Sequence, residues 1–337
     1  RGNAGNEKMK RAVVTGASSF VGCHLARGFA QQGWAVTATL SRPQAAYKGI
    51  QAARLKWIGE SVSWQALDLR DEKAVREFIA RARPELWIHH AGHAVNYGSL
   101  DYDLQAGRAI NVEPLNYIYE ELAKVGNSGV IVTGSSMEYS DTDQACKETD
   151  ECKPSTPYGQ SKLEETKAAE KLSVRYGVPT RVARLFIQFG PLDAPAKVLM
   201  YVVENLKKGL PVELSPCTQR RDFLYIGDVA KAYGSFAGDL KRGGFELCNI
   251  CSGEAVAVRS LIEKIADRLG ASRDLLGFGK RAMRPGEPAV TYGSCDKARK
   301  MFGWRPGTLE EGIAEFLRVE AGLAAGAKGT VLNIQHG

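Results

Sequence analysis

The feature that most constrains the fold is the segment from Val13 to Ala26, VVTGASSFVGCHLA. Apolar β-branched residues, a run of small residues and an apolar stretch with helical spacing predict a β-strand, a glycine turn and an α-helix. In a dinucleotide-binding turn the first glycine makes the bend, the second brings backbone against the pyrophosphate, and the third lets the helix pack on its strand. Gly16 and Gly22 supply the first and third glycines, and Ser19 occupies the middle position.

This turn predicts a phosphate site. The first turn of the helix presents unsatisfied N–H groups and a partial positive charge, and both attract phosphate. The serine in the middle position is small, and its hydroxyl can itself bond a phosphate oxygen. We therefore expect a dinucleotide to contact the residues of the turn and of the helix start, which are Gly16, Ser18, Ser19, Phe20, Val21 and Gly22.

Strand and helix patterns alternate through the first half of the chain. The strand-like segments are RAVVTGA, AVTATL, SWQALDLRD, ELWIHHAG and GVIVTGSS, and helical patterns cover residues 20–32, 72–83 and 107–125. Repeated strand–helix units predict an α/β fold with a doubly wound parallel Rossmann sheet and right-handed crossovers. Ligands of such a sheet lie at the carboxyl ends of its strands.

The pattern changes after about residue 189, where prolines cluster and short strands mix with helices. We expect residues 9–188 to form the dinucleotide-binding domain and residues 189–320 a smaller C-terminal α/β lobe that binds substrate. Within that lobe, residues 222–252 are expected to return to the first sheet. Residues 1–8 are expected to be a leader introduced by cloning, and the Gly/Ala-rich residues 321–337 a frayed or partly vector-derived tail.

Composition excludes several classes of function. Of the 337 residues, 44% are hydrophobic and 25% charged, which suits a soluble α/β protein, and no apolar run approaches the length of a membrane span. The formal charge of +7 is spread over helical segments rather than massed beside aromatic residues, so a nucleic-acid partner is not expected. Seven cysteines with scattered spacing favour a reducing compartment, so we predict a cytoplasmic protein.

Two groups of residues resemble metal ligands, but neither predicts a metal site. Cys248 and Cys251 lie in a strand-like segment, where positions three apart point to opposite faces, and no second pair accompanies them. His89, His90 and His93 are near neighbours on a strand, so their side chains diverge. We therefore predict no bound metal.

The end of the second strand indicates which dinucleotide is bound. A site for NAD usually has an acidic residue there that bonds the ribose 2′-OH. The sequence TATLSRP instead places Ser41 and Arg42 at this point, and a guanidinium suits a 2′-phosphate. The sequence favours NADP, with NAD as the alternative. Asp68, followed by Leu69, ends the third strand, where its carboxylate could accept from the adenine amino group.

The segment PYGQSK predicts a catalytic pair. Tyr158 and Lys162 are four residues apart, so on a helix they share one face. An ammonium near a phenol favours the phenolate and lowers the pKa of the tyrosine, which can then exchange a proton with a carbonyl or alcohol oxygen. Ser135, in VTGSSMEYS at the end of the fifth strand, can bond the same oxygen. Other expected dinucleotide contacts at strand ends are His90, Ala91, Gly92, Thr133 and Leu185.

Taken together, these motifs resemble the extended short-chain dehydrogenase/reductase family of nucleotide-sugar epimerases, dehydratases and ketoreductases. The resemblance covers about residues 9–317 and rests on TGASSFVG, DLRD, HHAG, GSSMEYS, YGQSK, RLFIQFGP, RRDFLYIGDVAKA, RPGEP and DKARKMFGWRP. It implies that Ser135, Tyr158 and Lys162 are catalytic and that Tyr158 and Lys162 also contact the dinucleotide. It further implies a nucleotide-diphosphate sugar substrate, contacted by Ser135 and Ser136, with its diphosphate bound by Arg221 and Arg284.

The resemblance also implies a homodimer, formed by the helices near residues 107–125 and 158–176. Departures from the family pattern narrow the activity. Family 4,6-dehydratases carry Asp-Glu after the catalytic hydroxyl residue, where this chain has Ser136 and Met137, so dehydration is not expected. Ile187 replaces an asparagine that contacts substrate in relatives.

We predict an NADP-dependent reductase of a nucleotide-linked 4-keto-6-deoxyhexose, because the acid of the second strand is absent. The first alternative is a nucleotide-sugar 4-epimerase with tightly bound NAD. A second is a catalytically inactive NADP-binding protein on the same fold, because fold alone does not fix function. A third is a reductase of a carbonyl compound that carries no nucleotide.

Overall fold

The computed structural model describes residues 9–284 and 286–332, with side chains described up to residue 325. The leader predicted at residues 1–8 and the last five residues of the predicted tail lie outside the described residues. The strands in chain order are β1 (Arg11–Val14), β2 (Ala35–Leu40), β3 (Ser63–Ala66), β4 (Leu86–His89), β5 (Gly129–Ser135), β6 (Thr180–Leu185), β7 (Ile187–Phe189), β8 (Val212–Glu213), β9 (Arg220–Arg221), β10 (Phe223–Tyr225), β11 (Phe245–Ile250), β12 (Val256–Ala257), β13 (Leu276–Gly277) and β14 (Val290–Thr291).

The helices are α1 (Phe20–Gln31), α2 (Gly49–Ile58), α3 (Glu72–Ala82), α4 (Leu104–Gly107), α5 (Pro114–Val125), α6 (Pro157–Tyr176), α7 (Val198–Lys207), α8 (Ile226–Asp239), α9 (Val258–Leu269), α10 (Asp296–Phe302) and α11 (Leu309–Leu332). The sequence patterns located α1, α3 and α6 to within one or two residues. They missed α2 and β6. The predicted helix at 107–125 is divided by a π-helical turn at Arg108–Val112, directly before Pro114 begins α5.

A seven-stranded sheet forms the centre of the fold, in the order β11-β6-β5-β4-β1-β2-β3. Every neighbouring pair in it is parallel. This confirms the predicted doubly wound Rossmann sheet. The chain order reverses between β1 and β4, so the ends of these two strands define the switch point at which such sheets bind ligands.

Helices cover both faces of this sheet, as the buried strands require. On one face α1 and α8 pack together, with Phe29 and Phe236 in the same apolar core. On the other face α3, α5 and α6 cover the sheet, with Phe78, Ile118 and Leu172 in a second core. The result is a three-layer arrangement that leaves the carboxyl ends of the strands open.

The C-terminal lobe has its own apolar core, built from α7, α9 and the first turns of α11. Its strands form small sheets: β10 with β7, β13 with β8, and β9 between β12 and β14. Of the segment expected to return to the first sheet, only β11 does so as a strand. The prediction was wrong for residues 223–225, which pair with Ile187–Phe189 instead, whereas α8 packs against α1.

Helix α11 continues to Leu332, through most of the segment predicted to be a tail. None of the helices in residues 9–284 and 286–332 has the length and apolar content needed to cross a lipid bilayer.

Candidate active site

The glycine turn between β1 and α1 has the close contacts that a dinucleotide site requires. Gly16 has a φ of +72°, and a methyl group on it would lie 2.8 Å from the Cα of Ala91. A methyl on Gly22 would overlap the carbonyl oxygen of Gly16. Only glycine fits at both positions, so the turn packs closely against the end of β4 and the start of α1, which is the geometry of a dinucleotide-binding turn. The residues present therefore fit a dinucleotide.

Ser19, in the middle position of the turn, caps α1. Its Oγ accepts a hydrogen bond from the amide of Gly22 at 2.9 Å and lies 2.8 Å from Nε2 of His90. These contacts satisfy one orphan amide of the helix and tie the turn to the end of β4. The hydroxyl that the sequence assigned to a phosphate is thus already shared between the helix cap and a histidine.

His90 extends this chain of hydrogen-bonding groups into the protein interior. Its Nδ1 lies 3.0 Å from Oγ1 of Thr133, and that hydroxyl lies 2.7 Å from the hydroxyl of Tyr233 on α8. Burial lowers the pKa of His90 to about 3, so the imidazole is neutral. The backbone amides of His90 and Ala91 both donate to Oγ1 of Thr15 at 2.9 Å. Ser19, His90 and Thr133, all predicted to contact the dinucleotide, are thus joined by hydrogen bonds, and Tyr233 was not predicted as part of this group.

The adenosine end of the cleft is more exposed. The Arg42 guanidinium lies 4.7 Å from the centre of the Tyr47 ring, and Oγ of Ser41 lies 3.3 Å from the Tyr47 hydroxyl. Asp68 accepts from Arg70 at 2.6 Å, and this hydrogen bond lowers the pKa of the aspartate. The carboxylate predicted to bind adenine is therefore paired with an arginine.

The predicted catalytic pair, Tyr158 and Lys162, lies at the start of α6. Thr156 caps this helix by accepting from the amide of Gly159 at 3.1 Å, and Pro157 occupies the first helical position. A methyl on Gly159 would overlap the carbonyl oxygen of Met137. The helix therefore sits directly on the turn that follows β5, and this contact brings Tyr158 to the turn that begins at Ser135.

Tyr158 packs edge to face against two tyrosines of the segment between β4 and α4. Its ring centre lies 5.6 Å from that of Tyr97 and 5.5 Å from that of Tyr102. Burial raises the pKa of Tyr158, and the nearby Lys162 ammonium opposes this rise. Lys162 is itself only 7% exposed, and its Nζ contacts the carboxylate of Glu165. Burial lowers the pKa of Lys162, but Glu165 and Tyr158 outweigh this effect and raise it.

A buried ion pair fixes the backbone at Ser135. Its amide donates to Oε1 of Glu138 at 2.8 Å, and Oε2 of Glu138 accepts from Nε of Arg184 at 2.8 Å. The Ser135 Oγ accepts from the Met137 amide at 3.2 Å, which leaves its O–H free to donate to a substrate oxygen. Leu185, which pairs with Ser135 across β5 and β6, is buried. Neither Glu138 nor Arg184 was predicted as a site residue.

The two arginines expected at the substrate diphosphate are connected through hydrogen bonds to Glu287. Arg221 is 7% exposed and donates to Oε1 of Glu287 at 2.9 Å. The amide of Glu287 in turn lies 3.3 Å from the carbonyl oxygen of Arg284, whose side chain is exposed. Asp222 accepts from the amides of Ser252 and Gly253, which holds the strand that carries Arg221.

The histidines at the end of β4 diverge, as their alternation on a strand requires. His89 faces Trp87 and Glu165, whereas His90 faces the glycine turn. Among the residues that the structure describes, no group of three or more His, Cys, Asp or Glu side chains could hold a metal ion.

The model of the NAD dependent epimerase/dehydratase family matches residues 12–251. The chain is 26% identical to the UDP-glucuronate 4-epimerase of Thermodesulfobacterium geofontis over 313 residues, which covers 89% of this chain and 93% of that protein.

The chain is also similar to a reductase over part of its length and to an epimerase structure over nearly all of it. The GDP-6-deoxy-D-mannose reductase of Pseudomonas aeruginosa is 31% identical over 163 residues, which is 45% of this chain and 51% of that protein. The structure of a UDP-glucose-4-epimerase from Stenotrophomonas maltophila, with bound NAD and formylated UDP-arabinopyranose, superposes with a TM-score of 0.81 at 19% identity. That superposition covers 95% of this chain and 100% of the other, and it shows a shared fold.

Proposed function

We propose that this chain, which belongs to the NAD dependent epimerase/dehydratase family, is a nucleotide-sugar 4-epimerase. The family membership makes it an NAD(P)-dependent enzyme of oxidoreductase type. Similarity to a UDP-glucuronate 4-epimerase over nearly the full length of both proteins supports epimerisation. This reverses the preference that the sequence motifs gave, in which the epimerase was the first alternative to a reductase.

The observation that carries the proposal is the contact between Gly159 and the carbonyl oxygen of Met137. It allows α6 to approach the end of β5 without a side chain in between. Tyr158 and Lys162, which share one face of α6, are thereby carried on the helix that packs on the turn following Ser135. A phenol, an ammonium and a hydroxyl are groups that can exchange or share a proton in the proposed reaction.

Tyr158, Ser135 and the two arginines have separate roles in the proposed reaction. A bound nicotinamide supplies the hydride acceptor and donor for the sugar carbon. Tyr158 takes the proton of the C4 hydroxyl while a ketone forms, and it returns that proton when hydride is restored to the opposite face. Ser135 donates a hydrogen bond to the same oxygen. Arg221 and Arg284 provide charge for the diphosphate.

The residues that follow Ser135 argue against dehydration. A 4,6-dehydration needs an acid and a base beside the catalytic hydroxyl residue to remove water from the neighbouring carbons. Here Ser136 and Met137 follow Ser135, and a thioether exchanges no proton. Glu138, the next carboxylate, is fully buried and paired with Arg184.

A second candidate is an NADP-dependent 4-ketoreductase, and Arg42 is the observation that favours it. The guanidinium lies at the end of β2 over Tyr47, where an NAD site would carry an acid. The partial similarity to GDP-6-deoxy-D-mannose reductase points the same way. In this candidate Tyr158 would donate a proton to the ketone oxygen in each turnover.

One experiment separates the two candidates. The purified protein is incubated with UDP-glucose or UDP-glucuronate without added cofactor, the products are followed by NMR, and the nucleotide released on denaturation is identified by mass spectrometry. An epimerase interconverts the 4-epimers and releases NAD. Stoichiometric NADPH consumption with a 4-keto-6-deoxyhexose nucleotide, and no epimer without cofactor, would move the assignment to the reductase.

We also propose that the enzyme is a homodimer that pairs through α5 and α6, and that it acts in the cytoplasm. The seven cysteines are all free thiols, which suits a reducing compartment. Light scattering during gel filtration measures the oligomeric state. A monomeric mass at micromolar concentration would contradict the dimer.

A further inference from the structure

Helix α6 buries an ion pair whose carboxylate has no task in the proposed reaction. Lys162 is 7% exposed, and Glu165, one turn further along, is 1% exposed. Their side chains are in contact through Nζ and Oε2. The other carboxylate oxygen, Oε1, lies 3.7 Å from Nε2 of His89 on β4. A carboxylate is therefore buried directly behind the lysine that faces Tyr158.

The neighbouring histidine does not neutralise this carboxylate. Trp87 Nε1 lies 3.5 Å from Nδ1 of His89, and an indole N–H can only donate, so Nε2 carries the imidazole hydrogen. Nε2 lies 3.7 Å from Oε1 of Glu165, which is too far for a hydrogen bond, and it has no hydrogen-bond partner among the described residues. Burial lowers the pKa of His89 to about 3, so the ring is neutral. Lys162 is thus the cation that balances Glu165.

We propose that Glu165 is a positioning residue that holds and neutralises the Lys162 ammonium behind Tyr158, and thereby sets the pH at which Tyr158 gives up its proton. An isolated ammonium near a phenol favours the phenolate. A carboxylate in contact with that ammonium cancels most of its field at the phenol, and a buried pair is screened little by salt. The proposal rests on the proposed function only where it concerns turnover.

Other ionisable groups around the pair do not change this balance. They are Tyr102 before α4, Glu138 after β5, His89 on β4, His90 directly after β4, Tyr119 on α5 and Tyr233 on α8. Glu138 is paired with Arg184. The two histidines are neutral, and burial raises the pKa values of the three tyrosines, so they stay protonated.

Glu165 is also placed to lose its charge near neutral pH. Burial raises the pKa of Glu165 to about 7, against the opposing effect of Lys162. The pair therefore changes from neutral to positive as the pH falls through this range. The influence of Lys162 on Tyr158 then depends on the protonation state of Glu165.

The test is a titration of Tyr158 in the full-length protein. Tyrosinate absorbance is measured against pH, and the curve of the same protein carrying Tyr158→Phe is subtracted. Glu165→Gln keeps the shape of the side chain and removes its charge, so the Tyr158 midpoint is expected to fall by about 1 pH unit. The matched control is Glu164→Gln, because Glu164 pairs with Arg108 at the partly exposed side of α6 and is expected to leave the midpoint unchanged.

A midpoint that stays the same or rises in Glu165→Gln would overturn the proposal, because removal of the carboxylate charge would then not have strengthened the effect of Lys162 on the phenol. If that variant does not fold, the double variant Lys162→Met with Glu165→Met replaces a neutral ion pair by two apolar side chains, a change that buried pairs often tolerate. Its Tyr158 midpoint is expected within about 0.5 pH unit of the wild type. A larger displacement in either direction would contradict the neutral pair.

Turnover supplies an independent readout. In Glu165→Gln the pH profile of kcat for epimerisation is expected to move to lower pH by the same amount, with KM unchanged. The Tyr158 titration requires no substrate. If no nucleotide sugar is epimerised, the proposed function fails, and the titration still decides the role of Glu165.

Discussion

Helices α1 and α6 begin in the same way at the same cleft. Each is capped by a hydroxyl side chain, Ser19 or Thr156, which accepts from the amide of a glycine three residues on. A methyl group on that glycine, Gly22 or Gly159, would overlap a carbonyl oxygen of a turn that follows a strand of the central sheet. Both helices can pack closely against the edge of the sheet because these two glycines have no side chain.

The two helices differ in what they bury. Helix α1 buries uncharged groups, among them Cys23, Phe29 and His24, whose pKa burial lowers to about 4. Helix α6 buries Lys162 and Glu165. The first helix thus offers only backbone groups to a phosphate, and the second offers ionisable side chains to a reacting oxygen. In the proposed function the same kind of helix start therefore serves dinucleotide binding in α1 and proton transfer in α6.

The largest expected effect lies at the start of α6. Tyr158→Phe removes the proton donor and acceptor, so kcat is expected to fall by about 10² to 10⁴. The melting temperature is expected to change little, because the hydroxyl makes no hydrogen bond among the described residues. Steady-state kinetics and thermal unfolding measure the two quantities. Activity above a tenth of the wild type would contradict the assigned role.

The two glycines test whether the helices differ as described. Gly159→Ala is expected to lower kcat by roughly 10²-fold, since displacing α6 misplaces Tyr158 against Ser135. Gly22→Ala is expected to weaken binding of the dinucleotide instead, measured by calorimetry. The control is Gly238→Ala in α8, where a methyl meets nothing within 4 Å and should leave both quantities unaltered. Equal losses of binding in both test variants would remove the distinction.

Because α1 buries a neutral histidine, we expect the folded protein to lose stability in acid. The pKa of His24 is about 4 in the folded chain against 6.5 for an ordinary histidine, so the unfolded chain binds one more proton between these values. The contribution of His24 to the free energy of unfolding is fully present above pH 6.5. It falls by about 1.4 kcal/mol per pH unit as the pH drops toward 4. His89 and His90 add similar losses.

Only the difference between the wild type and His24→Gln isolates this contribution. Denaturant unfolding from pH 4 to pH 7 measures it, and the variant should lose about 3 kcal/mol less than the wild type over that range. The Nε2 of His24 lies 2.9 Å from the carbonyl oxygen of Pro191, which glutamine can also reach as a donor. Parallel stability curves for the two proteins would show that His24 takes up its proton in the folded state.

The smallest expected effect lies at the adenosine end. Arg42→Ala is expected to raise the Kd for NADP by about tenfold and to leave that for NAD unchanged, because only the 2′-phosphate pairs with a guanidinium. Fluorescence titration with each dinucleotide measures both constants. Arg175→Ala is the matched control, because Arg175 also stacks on a tyrosine, Tyr176, at the far end of α6. A similar change for NAD would mean that Arg42 supports the loop rather than the phosphate.

Local patterns were sufficient for part of the site. The spacing of Gly16 and Gly22 after an apolar strand predicted the turn and α1, and the spacing of Tyr158 and Lys162 predicted one helix face. Both features depend on residues that are close in sequence, whose geometry is set by helix and strand periodicity. The weak strand TRVARL, β6, was missed because arginines at 181 and 184 interrupt its apolar run, although both are buried in ion pairs.

Contacts between distant segments were beyond those patterns. The pairing of β10 with β7, the partnership of Glu138 with Arg184 and the edge-to-face contact of Tyr97 with Tyr158 join residues far apart in the chain. Each depends on how the sheet order and the C-terminal lobe bring its partners together.

The sequence by itself determined the Rossmann sheet, the glycine turn and the face of α6 that carries Tyr158 and Lys162, because each follows from the repeat of a single element. The tertiary structure alone decided the charge around that tyrosine. Glu165 stands one turn from Lys162 in any helix, but it acts on Tyr158 only because β4 and the rest of the sheet exclude water from the pair. Burial, which no local spacing encodes, turns an ordinary surface pair into an electrostatic influence on catalysis.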